Sequence, residues 1–222
     1  MRGLTDEQYE LPPARLERWL DRWAAAHEPV AWTSVGDRDV AFVAAGGDRV
    51  VCEPPFPPLD GDALGDHAGF APAPLLEHVR RERTVGVLLV RLGGHAAGVF
   101  AGERLLDSKV GSRLVHGRHR KGGSSSGRFA RRREGQARAA LQAAADVADR
   151  VLHPWEGRLE AVVLGGDRRA LDEVLADQRL AWLRPLASGA VHDVPDPRLH
   201  VLQAMPERFL ATTVRPFGTI PP

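Results

Sequence analysis

A single cysteine, Cys52, stands in a chain of 222 residues. It excludes an internal disulfide and a cysteine-built zinc site, and it fits a reducing cytoplasm. Lysine is almost missing: Lys109 and Lys121 are the only two, and arginine carries the remaining positive charge. With the heavy use of Ala, Gly and Pro, that bias points to a high-GC genome and says nothing about mechanism. No uninterrupted apolar run approaches the ~18 residues that a membrane-spanning helix needs. The opening residues, Met1-Arg-Gly-Leu-Thr-Asp-Glu-Gln8, hold no apolar segment of a signal peptide. A cytoplasmic protein with no membrane partner is expected. The nine histidines include no H-x-x-x-H or H-E-x-x-H spacing. His116-x-x-His119 borders a cationic stretch that disfavours a metal dication, so neither metal nor cofactor is expected.

What remains is globular in composition, 43% hydrophobic and 27% charged, and long enough to bury a sizeable core. Leu16, Trp19, Leu20 and Trp23 share one helical face, predicting a helix over 13–27 with Pro13 in its first turn. Short strands are predicted over 30–35, 40–44 and 49–52. Glu53-Pro-Pro-Phe-Pro-Pro58 can enter neither a helix nor a central strand. Residues 60–73 read as loop and 74–83 as helix. The five Trp (19, 23, 32, 155, 182) are scattered, which suits core positions better than a stacking platform.

From residue 84 the pattern sharpens. Strands are predicted over 84–91, 96–101 and 104–116, the last with a bulge at Gly111. A helix over 129–152 follows, with Ala137, Leu141, Ala144, Ala148 and Val151 as its buried stripe. A strand over 159–164 and a helix over 168–178 complete a βββαβα order: a meander followed by a crossover, hence an α/β (α+β) domain with a mixed sheet. In the proline-rich last forty residues, 198–204 could form a short helix and 209–214 a strand. The chain is divided into a small α+β region over 1–80 and a second domain over 81–222.

The densest feature is Gly117-Arg-His-Arg-Lys-Gly-Gly-Ser-Ser-Ser-Gly-Arg-Phe-Ala-Arg-Arg-Arg133. Between residues 109 and 138 stand ten Lys/Arg (109, 113, 118, 120, 121, 128, 131, 132, 133, 138) and one acid, Glu134. The whole chain has 30 basic and 29 acidic residues, so the remainder holds 20 and 28. A net charge of +1 thus conceals one concentrated cationic site on an acidic body, the pattern of a polyanion held at one place. Seven of the eleven residues 117–127 are Gly or Ser, as in an inert linker. Ten nearly unopposed cations repel one another, however, which favours a phosphate backbone as their counterion. Arg128, Arg131, Arg132 and Arg133 occupy the first turns of a predicted helix, the wrong end for cations. Together with free N–H groups they make an anion cradle.

Gly117 and Gly122 have P-loop separation, but Gly123-Ser124 stands where that motif needs Lys then Ser/Thr, so nucleoside triphosphate binding is excluded. Asp107 and the turn residue Glu103 are the only acids on the first three strands of the second domain, too few for two-metal cleavage.

Val87-Leu-Leu-Val-Arg-Leu-Gly-Gly, Gly98-Val-Phe, Ser108-Lys-Val-Gly-Ser-Arg113, the Gly-Gly loop, Arg128-Phe-Ala-Arg-Arg-Arg133 and Gln136 resemble the actinobacterial VLRF family of peptidyl-tRNA hydrolases. These are relatives of the catalytic middle domain of eukaryotic and archaeal peptide-chain release factors. The resemblance spans about residues 80–180 and, less distinctly, the region of Cys52–Leu59. It implies an RNase H-like βββαβα fold and a monomer acting in rescue of stalled ribosomes, with large-subunit rRNA and peptidyl-tRNA as partners. Gly122 and Gly123 match the family's glycine pair, which would enter the peptidyl-transferase centre. Lys109, Arg113, Arg118, Arg120, Lys121, Arg128, Arg131, Arg132 and Arg133 would hold RNA, and Gln136 matches a supporting position in the helix.

One departure stands out. Family members place a glutamine three or four residues after the second glycine, where this chain has Ser126 and Gly127. A backbone N–H at Ser126 or Gly127 could still stabilise the oxyanion of ester hydrolysis, and the hydroxyls of Ser125 and Ser126 could position water. Gly122, Gly123, Ser125, Ser126 and Gly127 are therefore the catalytic candidates. A binder of RNA or the ribosome without hydrolase activity is the alternative.

Overall fold

The computed structural model describes residues 8–91, 93–112, 126–187 and 189–218, and of residues 126–133 the backbone alone. In chain order the elements are β1 (Tyr9–Leu11), α1 (Pro13–Ala26), β2 (Val30–Val35), β3 (Val40–Ala44), β4 (Arg49–Glu53), β5 (Gly65–Ala68) and α2 (Ala73–Arg80). Next come β6 (Thr84–Arg91), β7 (Gly94–Ala101), β8 (Arg104–Ser112), α3 (Ser126–Leu152), β9 (Ala161–Gly166) and α4 (Arg168–Leu175). Two short helices, α5 (Leu199–Gln203) and α6 (Pro206–Phe209), precede β10 (Thr212–Phe217). The fold class is α+β, as expected.

The chain forms two compact units: residues up to Arg81 together with those from Pro206 on, and residues 82–205. The expected second domain over 81–222 is corrected at its far end. Strand β10 joins the first unit's sheet, whose order is β1-β10-β4-β3-β2-β5, pairing antiparallel with β1 on one side and β4 on the other. Alternation drives this sheet. Val40, Phe42 and Ala44 of β3, Val50 and Cys52 of β4 and Val214 of β10 point inward against Leu16, Leu20 and Trp23 of α1 and Leu75 of α2. Burial pushes the Cys52 thiol well above its ordinary pKa, so it is an inert core group. Strand β5 falls in a stretch expected to be loop, and β1 lies ahead of the first expected element. Trp32, expected in the core, lies on β2 with 46% of its surface exposed.

In the second unit the order is β8-β7-β6-β9, with β6 antiparallel to β7, β7 to β8, and β6 parallel to β9. This is the expected meander and crossover. Every residue of β7 is buried, because both faces of the sheet are covered. On one face Leu88, Val90, Ala97 and Val99 meet Ala144, Ala148 and Leu152 of α3. On the other, α5 packs closely on β7: a Cβ built on Gly98 would lie 3.0 Å from the Leu202 side chain. Gly166, at φ +108°, turns β9 into α4: a Cβ there would lie 2.1 Å from the Val90 carbonyl oxygen. Asp167 then caps α4 by accepting from the Ala170 N–H at 2.9 Å.

Several boundaries differ from expectation, two of them for a visible reason. Strand β8 runs Arg104–Ser112, and its bulge is at Leu106, since Val99 faces Asp107 while Phe100 faces Leu105. The predicted extension to 116 lies outside the described residues. Helix α4 stops at Leu175, because Asp177 accepts from the Arg179 N–H and starts a separate 3-10 segment at Gln178–Leu183.

Candidate nucleic-acid interface

Strands β6, β8 and β9 run the same way, so Arg91, Ser112 and Gly166 end at one edge of the sheet, beside the start of β7 at Gly94. Helix α3 follows β8 and must cross back to the opposite edge, where β9 begins. Its 27 residues span about 40 Å at ~1.5 Å per residue. The nine residues of β8 span only about 30 Å. The helix is longer than the sheet it covers, and its burial shows which end is left over. Ala144, Ala145, Ala148, Val151 and Leu152 are buried, Ala137, Ala140 and Leu141 are half-buried, and Glu134, Gly135 and Arg138 are exposed. Burial thus fades along the described residues towards the end that carries the arginines.

The sequence candidates divide accordingly. Ser126 and Gly127, expected in the loop, open α3, so the helix begins three residues earlier than the pattern predicted. Arg128, Arg131, Arg132 and Arg133 lie in its first two to three turns. The N–H groups of residues 126–129 have no partner within the helix. Gln136 is half-buried one turn further on. Lys109 is exposed on β8 opposite Ala97, and therefore on the sheet face that α3 covers. Arg113, Arg118, Arg120, Lys121, Gly122, Gly123 and Ser125 lie outside the described residues. Among the described residues, no group of His, Cys, Asp or Glu is arranged to hold a metal ion. No helix there is long and apolar enough to cross a membrane.

Charge runs backwards along α3. Cations crowd the half that holds its positive end, while Asp146 and Asp149 lie towards its negative end, where Arg150 is the cation of the last turn. The acidic end is compensated internally. Arg179 donates to Asp146 at 2.9 Å and to Asp177 at 2.7 Å, and lies 3.7 Å from Asp149. The Arg179 hydrogen bonds hold the Asp177 carboxyl down to about 2, and the bonds from Arg179 and Gln142 lower that of Asp146. The cationic end has only Glu134 nearby in sequence, and Glu134 is exposed.

Sequence reasoning missed a further residue at this edge. His95, 5% exposed, faces Gly111 across the β7–β8 ladder. With Ala137, Ala140, Leu141 and Ala144 of α3 it lines a shallow recess at the turn after β6. Gly111, read from the sequence as a bulge, is needed for a different reason: a Cβ there would lie 2.3 Å from His95 Nε2.

A family model described as "Actinobacteria/chloroflexi VLRF1 release factor" matches residues 83–215. Among solved structures, an archaeal translation termination factor, aRF1, is 16% identical, with 88% of this chain and 69% of that chain covered at a TM-score of 0.44. The Vms1 mitochondrial localization core is 9% identical, covering 95% and 82%, at 0.40. Pelota from Archaeoglobus fulgidus is 12% identical, covering 95% and 65%, at 0.32.

Proposed function

The chain belongs to the Actinobacteria/chloroflexi VLRF1 release-factor family, and on that premise we propose that it is a peptidyl-tRNA hydrolase that frees nascent chains from stalled large ribosomal subunits. The observation that carries this reading is the arginine-rich start of α3, which lies inside the span matched by the family. A helix start whose first N–H groups have no partner within the helix, with cations that its dipole disfavours, is suited to phosphates. Lys109 on the neighbouring strand adds to the same footprint, and the cations of residues 113–121 extend it along rRNA and the tRNA acceptor end. The protein acts as a cytoplasmic monomer.

The chemistry required is transfer of an acyl group to water. The water oxygen bonds to the carbonyl carbon joining peptide and tRNA, the bond to the ribose oxygen breaks, and the proton ends on that ribose oxygen. Gly122 and Gly123 allow the backbone to approach the ester closely. The N–H groups of Ser126 and Gly127 stand at the positive end of α3, where they can stabilise the developing oxyanion without any side chain. The hydroxyls of Ser125 and Ser126 position the water. Gln136, half-buried further along α3, is a supporting residue.

Peptide release from stalled large-subunit complexes tests the assignment. Gly122→Ala or Gly123→Ala should lower release by ~100–1000-fold, the usual loss of an aimed backbone donor, while subunit binding persists. Ser126→Gln should leave release equal or higher. A second reading, a ribosome binder without hydrolase activity, is favoured by Ser126 standing where the family has glutamine. It wins if the wild type releases no peptide at saturating binding and Ser126→Gln switches release on.

A further inference from the structure

We infer that His95 is a positioning residue that sets where β8 ends relative to the first half of α3. Three observations meet at this side chain. The β7–β8 register places His95 directly opposite Gly111, on the same face as Ala97 and Val99, which is the face that α3 covers. The imidazole lies so close over β8 that any side chain at 111 would collide, with Nε2 at 2.3 Å and Cε1 at 2.8 Å from a Cβ built on Gly111. The ring is 95% buried in a recess whose other wall is Ala137, Ala140, Leu141 and Ala144 of α3.

The ring therefore wedges between the last residues of β8 and the stretch of α3 just before it becomes uncovered. Alanines on the helix bring its axis close, and glycine on the strand lets the ring lie flat. Together they leave one position for the imidazole. A methyl at 111 must drive it back by about 1 Å or more to reach van der Waals separation. Away from β8 the ring moves across the recess towards α3. His95 thus aims the cationic helix end from the core without touching RNA.

The test is a cycle of Gly111→Ala, His95→Ala and the double variant, read in two ways. Hydrogen exchange at the amides of residues 137–144 reports the geometry in the free protein. Maximal release at saturating subunit, set against subunit affinity, reports its use. The second readout alone rests on the hydrolase reading. Gly111→Ala and His95→Ala should each accelerate exchange there by about tenfold, leaving β6 protected, and lower maximal release with affinity nearly unchanged. In the His95→Ala background Gly111→Ala should cost nothing further, because its collision partner is gone. If Gly111→Ala alone fails to fold, restoration of folding by His95→Ala supports the same contact. Neutral behaviour of Gly111→Ala, or equal costs in both backgrounds, overturns the inference. A wild type that releases nothing, with the exchange cycle intact, would sink the hydrolase reading and leave His95 standing.

Discussion

From Ala144 to Leu152, α3 presents small and aliphatic side chains to the sheet, and five of its residues there are buried. Between residues 126 and 138 the same helix carries five arginines and one carboxylate. The first stretch is explained by packing alone: alanines at i, i+4 spacing bring a helix close to a sheet whose central strand is buried throughout. Packing does not explain the second. Its cations oppose the helix dipole, and Glu134, Gly135 and Arg138 within it are exposed. Where folding accounts for one half of an element and not for the other, the unaccounted half is where function belongs.

The halves can be set against each other directly. The largest effect is expected in the buried one. Ala148→Asp places a carboxylate in a fully enclosed position, costing about 3–5 kcal/mol and so a large share of the stability of a typical domain. Thermal unfolding followed by circular dichroism should show the transition lost or sharply lowered. An unchanged midpoint would mean that this half is not the packing half. The triple change Arg131→Ala, Arg132→Ala, Arg133→Ala should do the reverse. Stability should hold or rise slightly, since unfavourable dipole interactions are removed. Affinity for large subunits should fall, and its logarithmic salt slope should flatten by roughly three units, about one for each lost phosphate contact. A slope unaltered in the triple variant would take the helix start out of the RNA interface.

The smallest effect concerns the acidic end of α3. Arg179→Gln removes the hydrogen bonds that hold Asp177 at about 2 and keep Asp146 below its usual range. Carboxylates with lowered folded-state pKa values stabilise above pH ~4, and that stability is lost as pH falls towards 2. The wild type should therefore lose stability between pH 4 and 2 more steeply than the variant, with little separating them at pH 7, as expected of exposed ion pairs. Parallel acid limbs in urea titrations would show that these bonds add nothing.

Much of this was legible in the residues. The apolar runs of β6 and β7, the glycine turns and the alanine stripe of α3 were enough to order the second unit, because each is a local pattern. Strands β1 and β5 were not, since Tyr9–Leu11 and Gly65–Ala68 are edge strands of three and four residues, too short for a local pattern to declare them. Strand β10 was misassigned for a related reason: its partners β1 and β4 lie far away in sequence, and no local pattern encodes them. Pro216, which reads as a strand breaker, is accommodated where β1 no longer pairs, because β1 reaches only Thr212–Val214. Ser126 and Gly127 were read as loop from composition, yet the helix begins with them. Gly111 was read as a bulge, whereas its role is to leave space for His95, a contact visible only once the register is known.

The return of β10 to the first sheet also dictates an order of assembly. This strand lies between β1 and β4 and buries Val214 in the first unit's core, yet it is made after all of residues 82–205. During synthesis the second unit has its complete set of strands before the first does. The first unit must wait with a gap beside β4, two unpaired strand edges facing one another, until the last strand arrives. Such non-local closure is slow. Chains interrupted before residue 212 should therefore contain a folded second unit and an exposed, association-prone sheet, the form most in need of a chaperone.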